Sequence, residues 1–330
     1  MKAAFQNQFG APDILFVNEV DRPTLTAGQV LVQVHASAVT QGDRRLRAAD
    51  YPGASAVIGR LMFGLFRPRN PVPGTMFAGR IVALGQDVTA FAVGDDVFGS
   101  VNHGAQAEFV AVAEDGPVAL MPAGIDYAEA AAVPYGACTA LAFLRDVAAV
   151  QPGERVLVVG ASGGVGRFAV QIARHLGADV TGVASARNAG LVRSLGATAF
   201  IDYATEDYTR SGETWDVVFD TSSGDGFRAA RRALKPGGRY ATVYMSLVVL
   251  VQALVTSLFG SRKARTGVVL GDQQLTRDVA ALLQDGAIRP VLVAQFPLDR
   301  VAEAHAALED GGPAGDVVVL IGTPAASRVA

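Results

Sequence analysis

Cysteine is almost missing from this 330-residue chain: Cys138 stands alone, beside four histidines and one tryptophan. A single thiol forms no disulfide within the chain, which fits a reducing compartment such as the cytoplasm. A zinc site needs three or four converging Cys, His or carboxylate ligands, and His35, His103, His175 and His305 are scattered along the sequence. No basic block is present and the net charge is −3, which argues against nucleic acid as a partner. Long apolar runs are missing too. Residues 1–5 lack the apolar core of a signal peptide. The longest apolar stretch, 245–259, is broken by Ser246, Gln252, Thr256 and Ser257. It falls short of the ~20 residues that span a bilayer, so no stable membrane insertion is expected, and the stretch reads as a buried or interface helix.

What is abundant is apolar side chain (50%) and glycine (37 residues), the composition of a well-buried globular protein with room for two domains. The chain is organised around Val156-Leu157-Val158-Val159 running into Gly160-Ala161-Ser162-Gly163-Gly164-Val165-Gly166. Apolar positions 168, 169, 172, 173 and 176 then repeat at helical spacing, and Gly177 offers a cheap left-handed cap. Strand, glycine turn and helix in this order suit a dinucleotide: the backbone can approach a pyrophosphate, and the helix N-terminus presents N–H groups to it. A second strand, 180–184, follows. NAD sites place Asp or Glu near its end, but here stand Ser185, Ala186, Arg187 and Asn188. Ser185 can donate a hydrogen bond and Arg187 can pair with a 2′-phosphate, which favours NADPH; the alternative is that Arg187 is an ordinary solvated charge.

Residues 1–124 read as β-rich, with strand candidates at 3–5, 14–20, 30–37, 80–84, 96–98 and 107–112 punctuated by Gly and Pro. Residues 40–47 read as loop and short helix. In 57–72, Ile58, Leu61, Met62, Leu65 and Phe66 are helically spaced beside Arg60, Arg67 and Arg69; this is read as a flexible lid, a membrane-touching patch or a helix covering a cleft, with Gly53, Gly59, Gly64 and Gly74 as bending points. From 125 to 264 strands alternate with helices, which predicts a parallel sheet wound on both faces. Two helices are expected in 128–150, interrupted by Pro134 and Gly136, and Lys235-Pro236-Gly237-Gly238 is expected to stop a helix over 227–234. The tail, 265–330, carries helices near 274–285 and 299–309 and a strand at 317–321, too apolar to stand alone. It is expected to return to the first domain.

The chain resembles, nearly end to end, the medium-chain dehydrogenase/reductase superfamily in its zinc-independent quinone oxidoreductase branch. The residues that carry this are Pro23 with 27–32, Ala36-Ser37-Ala38-Val39, Gly94-Asp95-Asp96-Val97-Phe98-Gly99, Ala107-Glu108-Phe109-Val110, Glu129-Ala130-Ala131 with Thr139-Ala140, Pro152-Gly153 leading to the glycine turn, Leu195-Gly196-Ala197 with Ile201-Asp202-Tyr203, and Lys235-Pro236-Gly237-Gly238. The resemblance implies a GroES-like β-rich catalytic domain, built from the N-terminal part plus the tail, around an α/β Rossmann domain. It implies that Gly163, Gly164, Val165 and Gly166 hold the pyrophosphate. Ser185, Arg187 and Tyr203 would contact the adenosine phosphate end, with Thr139, Ser222, Val243 and Tyr244 towards the nicotinamide; Ser162 and Asn188 are also expected to bind the cofactor. The segment 60–68 resembles a bacterial subgroup. Departures are Thr40, where the family usually has Asn, and Asp316 after Gly315, where a basic residue is usual. Zinc relatives carry a Cys ligand at the Thr40 position and Gly-His-Glu where this chain has Gly74-Thr75-Met76, so no zinc is expected.

The activity implied is NADPH-dependent reduction of a small hydrophobic quinone or α,β-unsaturated carbonyl. Such a reaction needs a donor to the oxygen on which charge develops. Thr40, Tyr51, Tyr135, Thr139 and Tyr244 are candidates, Tyr51 first; its alternative role is a rim aromatic. Asp43 is read as a helix cap. Two other readings stand beside this one: a metal-free carbonyl reductase or alcohol dehydrogenase with Thr40, Tyr51 or Tyr135 as proton donor, and a low-turnover NADPH-binding protein. A sheet edge near 240–250 followed by an apolar helix suggests a homodimer.

Overall fold

The structure, a computed structural model, describes residues 1–51, 55–222, 226–269, 271–309 and 314–322, and of 55–58 the backbone only. The expected bending point Gly53 and the Ile58 side chain lie outside the described residues. Contacts divide the chain into two units. One comprises Met1–Tyr135, Gly271–Asp285 and Arg289–Ala330; the other, Gly136–Leu270 and Gly286–Ile288.

The first unit opens with β1 (Lys2–Phe5) paired antiparallel to β2 (Phe16–Glu19). The strand expected over 14–20 is shorter because Pro12 opens a 3-10 turn, Pro12–Ile14, before it. Next come β3 (Gln29–Val39), the helices α1 (Gln41–Ala48) and α2 (Ser55–Phe63), and the strands β4 (Met76–Leu84), β5 (Asp96–Ser100), β6 (Phe109–Ala113) and β7 (Val118–Leu120). β3 is the spine: it pairs antiparallel with β4 on one side and β6 along its first half. Alternation fixes which way it faces, with Val30, Val32 and Val34 in the core. The helix α3 (Tyr127–Ala132) starts at the expected Asp126–Glu129 capping box. It packs on β3 and β4, so its contacts are with this unit although the composition changes near residue 124.

The second unit holds α4 (Pro134–Leu141), β8 (Arg155–Val159), α5 (Gly164–His175), β9 (Asp179–Ala184), α6 (Ala189–Ser194), β10 (Ala199–Asp202), β11 (Trp215–Asp220), α7 (Gly226–Ala230), β12 (Leu234–Thr242), α8 (Leu247–Leu258) and β13 (Lys263–Thr266). Its six strands are all parallel, in the order β10-β9-β8-β11-β12-β13. The order reverses between β8 and β11, as expected of the doubly wound sheet. Val156, Leu157 and Val158 are all fully buried, as a parallel strand covered on both faces requires. Pro134 opens α4, where its missing N–H costs nothing. Gly136 does not break the helix. A Cβ there would lie 2.3 Å from the Gly164 carbonyl oxygen, so glycine lets α4 approach the start of α5.

Two expectations are corrected here. Lys235-Pro236-Gly237-Gly238 is not a stop but part of β12, tolerated because the β11–β12 register shifts between Trp215 and Val217. The stretch 245–259 is not buried: no residue of α8 is.

The tail supplies α9 (Gln273–Gln284), β14 (Leu292–Pro297), α10 (Val301–Glu309) and β15 (Asp316–Leu320). β15 pairs antiparallel with β3 and parallel with β14. Val301, Ala304, Val317 and Val319 enter the same core as Val30 and Val32, so the tail completes the first unit. A buried polar tie reinforces it. Arg47 on α1 donates to Nδ1 of His305 (3.1 Å), to the Gly10 carbonyl (3.1 Å) and to Glu309. A guanidinium only donates, so Nδ1 accepts and the ring proton sits on Nε2, which donates to Oε1 of Gln106 (3.2 Å).

Burial first, and the Arg47 charge second, push the His305 pKa down to about 3. A histidine held neutral in the fold but free to protonate near 6.5 when unfolded stabilises fully above pH 6.5. That stabilisation is lost as the pH falls from 6.5 towards 3. We expect thermal stability to fall across this window by the equivalent of a few kcal/mol, and His305→Gln to flatten the profile; melting temperature against pH for both proteins is the measurement.

Candidate functional site

The sequence-predicted cofactor residues lie at the carboxyl ends of β8, β9, β10, β11 and β12 on one edge of the parallel sheet, except Thr139, which lies on α4. After β8 the chain turns at Gly160 (φ +80°), a conformation that favours glycine. A Cβ on Gly160 would meet Thr221 Oγ1 at 2.7 Å, and one on Gly166 would meet the Gly160 carbonyl oxygen at 2.0 Å. The turn and the first turn of α5 therefore touch backbone to backbone. α5 begins at Gly164, four residues before the first position of the expected helical repeat. Gly163 is its N-cap and no side chain caps it. Gly163 and Gly164 are exposed, and a Cβ on Gly164 would meet nothing within 4 Å. The first N–H groups of α5 thus face open space with a helix dipole behind them, a setting that favours an anion.

At the end of β9, Ser185 leads into a 3-10 turn, Ala186–Asn188. Asn188 Nδ2 donates to Ser162 Oγ (3.0 Å), which ties this loop to the glycine turn. Arg187 is exposed, and no acid stands between Ala184 and Asn188. Tyr203, just after β10, is 66% exposed, and its N–H donates to the Ala184 carbonyl (3.4 Å). Thr139 is half-buried on α4. Val243 and Tyr244 follow β12, the Val243 N–H donating to the Asp220 carbonyl (3.4 Å) and the Tyr244 N–H to Thr242 Oγ1 (3.2 Å).

Sequence reasoning passed over Asp220. It ends β11, directly after the apolar run Val217-Val218-Phe219, and is buried. One oxygen accepts from the Ser222 N–H and hydroxyl (2.9 Å each), the other from the Tyr240 hydroxyl (2.8 Å). Burial and this carboxylate push the Tyr240 pKa up. Asp220 thus positions Ser222; an acid closing an apolar strand is the signal that could have revealed it.

In the β-rich unit, Thr40 is the N-cap of α1. Its hydroxyl accepts from the Asp43 N–H (3.2 Å) and donates to Asp43 Oδ2 (2.6 Å), while the Thr40 N–H donates to the same oxygen (2.8 Å). Thr75 donates to Oδ1 (2.8 Å). The cap is therefore Thr40, with Asp43 as its reciprocal partner rather than the cap itself. The one Thr40 hydroxyl proton is committed to Asp43, which weakens Thr40 as a donor to a substrate. Burial raises the Asp43 pKa, opposed by the hydrogen bonds from Thr40 and Thr75. At the positions where the resemblance expects zinc ligands in zinc-dependent members, two hydroxyls, Thr40 and Thr75, thus close onto one buried carboxyl group. Among the described residues no group of three or more His, Cys, Asp and Glu gathers to hold a metal ion.

Tyr51 differs from Thr40. Its ring stacks on Phe63 (5.9 Å between centroids), and Gly59 packs against its face. Its hydroxyl is buried and has no hydrogen-bond partner among the described residues. Burial raises its pKa, so it stays a phenol and a donor.

No helix of the described residues is long and apolar enough to cross a membrane. The alcohol dehydrogenase GroES-like domain family matches residues 26–142, and the zinc-binding dehydrogenase family matches residues 195–319. The 2-methylene-furan-3-one reductase of Solanum lycopersicum is 31% identical over 97% of this chain and 79% of its own length. The chloroplastic NADPH-dependent alkenal/one oxidoreductase of Arabidopsis thaliana is 30% identical over the same shares. Among solved structures, the quinone oxidoreductase from Coxiella burnetii superposes with a TM-score of 0.86 at 27% identity, covering 98% of this chain and 99% of that one. With its parallel six-stranded Rossmann sheet and GroES-like β-rich unit, the chain belongs to the medium-chain dehydrogenase/reductase superfamily of NAD(P)H oxidoreductases, in the quinone oxidoreductase and alkenal reductase-like branch.

Proposed function

We propose that this protein reduces quinones or α,β-unsaturated carbonyls with NADPH and without a metal. The observation that carries the reading is the uncapped N-terminus of α5 beside an acid-free β9 loop bearing Ser185 and Arg187. The N–H groups of Gly164, Val165 and Gly166 hold the pyrophosphate, while the Gly163 N–H donates to the Gly160 carbonyl (2.9 Å). Arg187 pairs with the adenosine 2′-phosphate, and Asn188, fixed to Ser162, keeps its loop in place. Tyr203 lies at the same end, while Thr139, Ser222, Val243 and Tyr244 line the nicotinamide end. The bound cofactor supplies a hydride.

As an enone or quinone accepts hydride at carbon, negative charge gathers on its oxygen. We assign the Tyr51 hydroxyl, protonated and without a partner among the described residues, as the donor to such charge. Thr40 holds the start of α1 through Asp43 and is a positioning residue. Water supplies the remaining proton.

Three measurements test the reading. Substrate-dependent oxidation of NADPH should yield a saturated ketone or a hydroquinone; an allylic or saturated alcohol as sole product would assign the protein to carbonyl reduction instead. Dialysis against a chelator should leave the rate unchanged, with metal analysis finding zinc well below one per chain. Arg187→Ala should weaken NADPH binding about ten- to a hundredfold, since a charge-assisted pair is worth roughly 1.5–3 kcal/mol, and leave NADH binding nearly intact; equal losses would sink the NADPH assignment.

Tyr51→Phe probes the donor. Removing one oxyanion donor typically costs about 10²–10³ in kcat, and deleting a hydroxyl with no hydrogen-bond partner among the described residues leaves stability nearly unchanged. A rate close to wild type would make Tyr51 a packing residue only.

A further inference from the structure

The helix α8 is built inside out. A surface helix ordinarily turns its apolar side to the core and its polar side to water. In α8 the half-buried stripe is Val249, Gln252, Ala253 and Thr256, spaced to lie on one face. Thr256 Oγ1 accepts the Ala264 N–H of β13 (2.9 Å), and Lys263 Nζ donates to the Thr256 and Ser257 carbonyls (2.5 and 3.2 Å), so the polar stripe is what seats the helix. The outward side is Leu247, Val248, Val251, Leu254 and Leu258, continued by Phe259, each between 58% and 70% exposed. This contiguous apolar surface marks an interaction site.

Charge identifies the occupant. The chain as a whole carries more Asp and Glu (31) than Lys and Arg (28), yet residues 226–271 contain eight Lys and Arg and no acid. Lys235 and Arg239 are paired, with Asp216 and Glu154. Arg228 on α7 and Arg265 on β13 are exposed, and both elements pack against α8. An apolar helix face rimmed by cations matches the boundary between acyl chains and anionic headgroups. A second copy matches less well: a two-fold contact sets the same patch against itself, which brings Arg228 and Arg265 to both sides. The helix length excludes a span. Twelve residues rise about 18 Å, against about 30 Å of hydrocarbon, so α8 lies in the interface plane.

We propose that α8 is a peripheral docking helix that seats the nucleotide-binding unit on an anionic lipid surface, its Leu, Val and Phe side chains among the acyl chains and Arg228 and Arg265 among the phosphates. The proposal stands independently of the substrate.

Flotation of the full chain with vesicles tests it. Vesicles of phosphatidylcholine mixed with phosphatidylglycerol should carry the protein, pure phosphatidylcholine vesicles far less of it, and added salt should release it. Leu254→Asn with Leu258→Asn should lower the partition coefficient at least about tenfold, since each buried leucine is worth that much or more. Arg228→Glu with Arg265→Glu should abolish the preference for the anionic vesicles. Both double variants alter exposed side chains and should keep the wild-type melting temperature and the turnover of a water-soluble quinone. Failure of the wild type to float, or flotation that neither variant weakens, overturns the proposal. So does a wild-type dimer in sedimentation that Leu254→Asn with Leu258→Asn dissociates while no vesicle binds; a second copy would then be the occupant.

Discussion

Everything in the nucleotide-binding unit depends on one contact between two pieces of backbone. Gly166 in the first turn of α5 lies so close to the Gly160 carbonyl that any side chain would sit 2.0 Å from its oxygen. That approach sets where α5 starts relative to the end of β8, and hence where its unpaired N–H groups point. The neighbouring loops are then fastened to the same spot. Asn188 reaches Ser162 from the β9 side, and the Thr221 hydroxyl donates to the Val159 carbonyl (2.8 Å) from the β11 side. Three strand ends converge because one of them has no side chains in the way.

The β-rich unit uses a different device, a buried carboxyl group that gathers its surroundings. Asp43 receives Thr40 and Thr75, from the start of α1 and the start of β4, and so joins two segments 32 residues apart. Its desolvation is opposed by the hydrogen bonds from Thr40 and Thr75. Such a group holds geometry rather than adding net stability, since burying it costs about what its hydrogen bonds return. Tyr51, with its ring fixed by Phe63 and its hydroxyl unpartnered among the described residues, is the complement: a polar atom whose protein environment leaves it something to do.

Much of this was legible in the sequence because the signals were local. The strand β8, the glycine turn and α5 could be read from four apolar residues, the glycines and a helical repeat, and β10 from an apolar run closed by Asp202. The capping box at Asp126 needed only Glu129 three residues on. What escaped was fixed by neighbours distant in sequence. The strand β13 is Lys-Ala-Arg-Thr, with no apolar pattern, and exists because β12 offers it an edge. The Lys235-Pro236-Gly237-Gly238 run has every local mark of a break, and it falls in the register shift of the β11–β12 ladder, which pairs Leu234 before it and resumes at Arg239 after it. The outward face of α8 could not be read from its composition: an all-round apolar helix is usually core, and only the hydrogen bonds of Thr256 and Lys263 show which side it rests on. At the candidate site, the cofactor loops followed from motif order. The engagement of the Thr40 hydroxyl required seeing Asp43 folded back onto it.

The tie between Arg47 and His305, 258 residues apart, has a consequence for the order in which the chain can fold. The nucleotide-binding unit is nearly continuous in sequence, so its sheet can close while the rest of a nascent chain is still on the ribosome. The β-rich unit cannot: β3 lacks one of its partners, and the core lacks Val301, Ala304, Val317 and Val319, until the tail has been made. Its first 135 residues must wait as an open sheet edge through the synthesis of a whole intervening domain, and contacts of such long sequence separation close slowly. The half of the molecule made first is therefore the half finished last, and that waiting edge is where chaperones would be needed most.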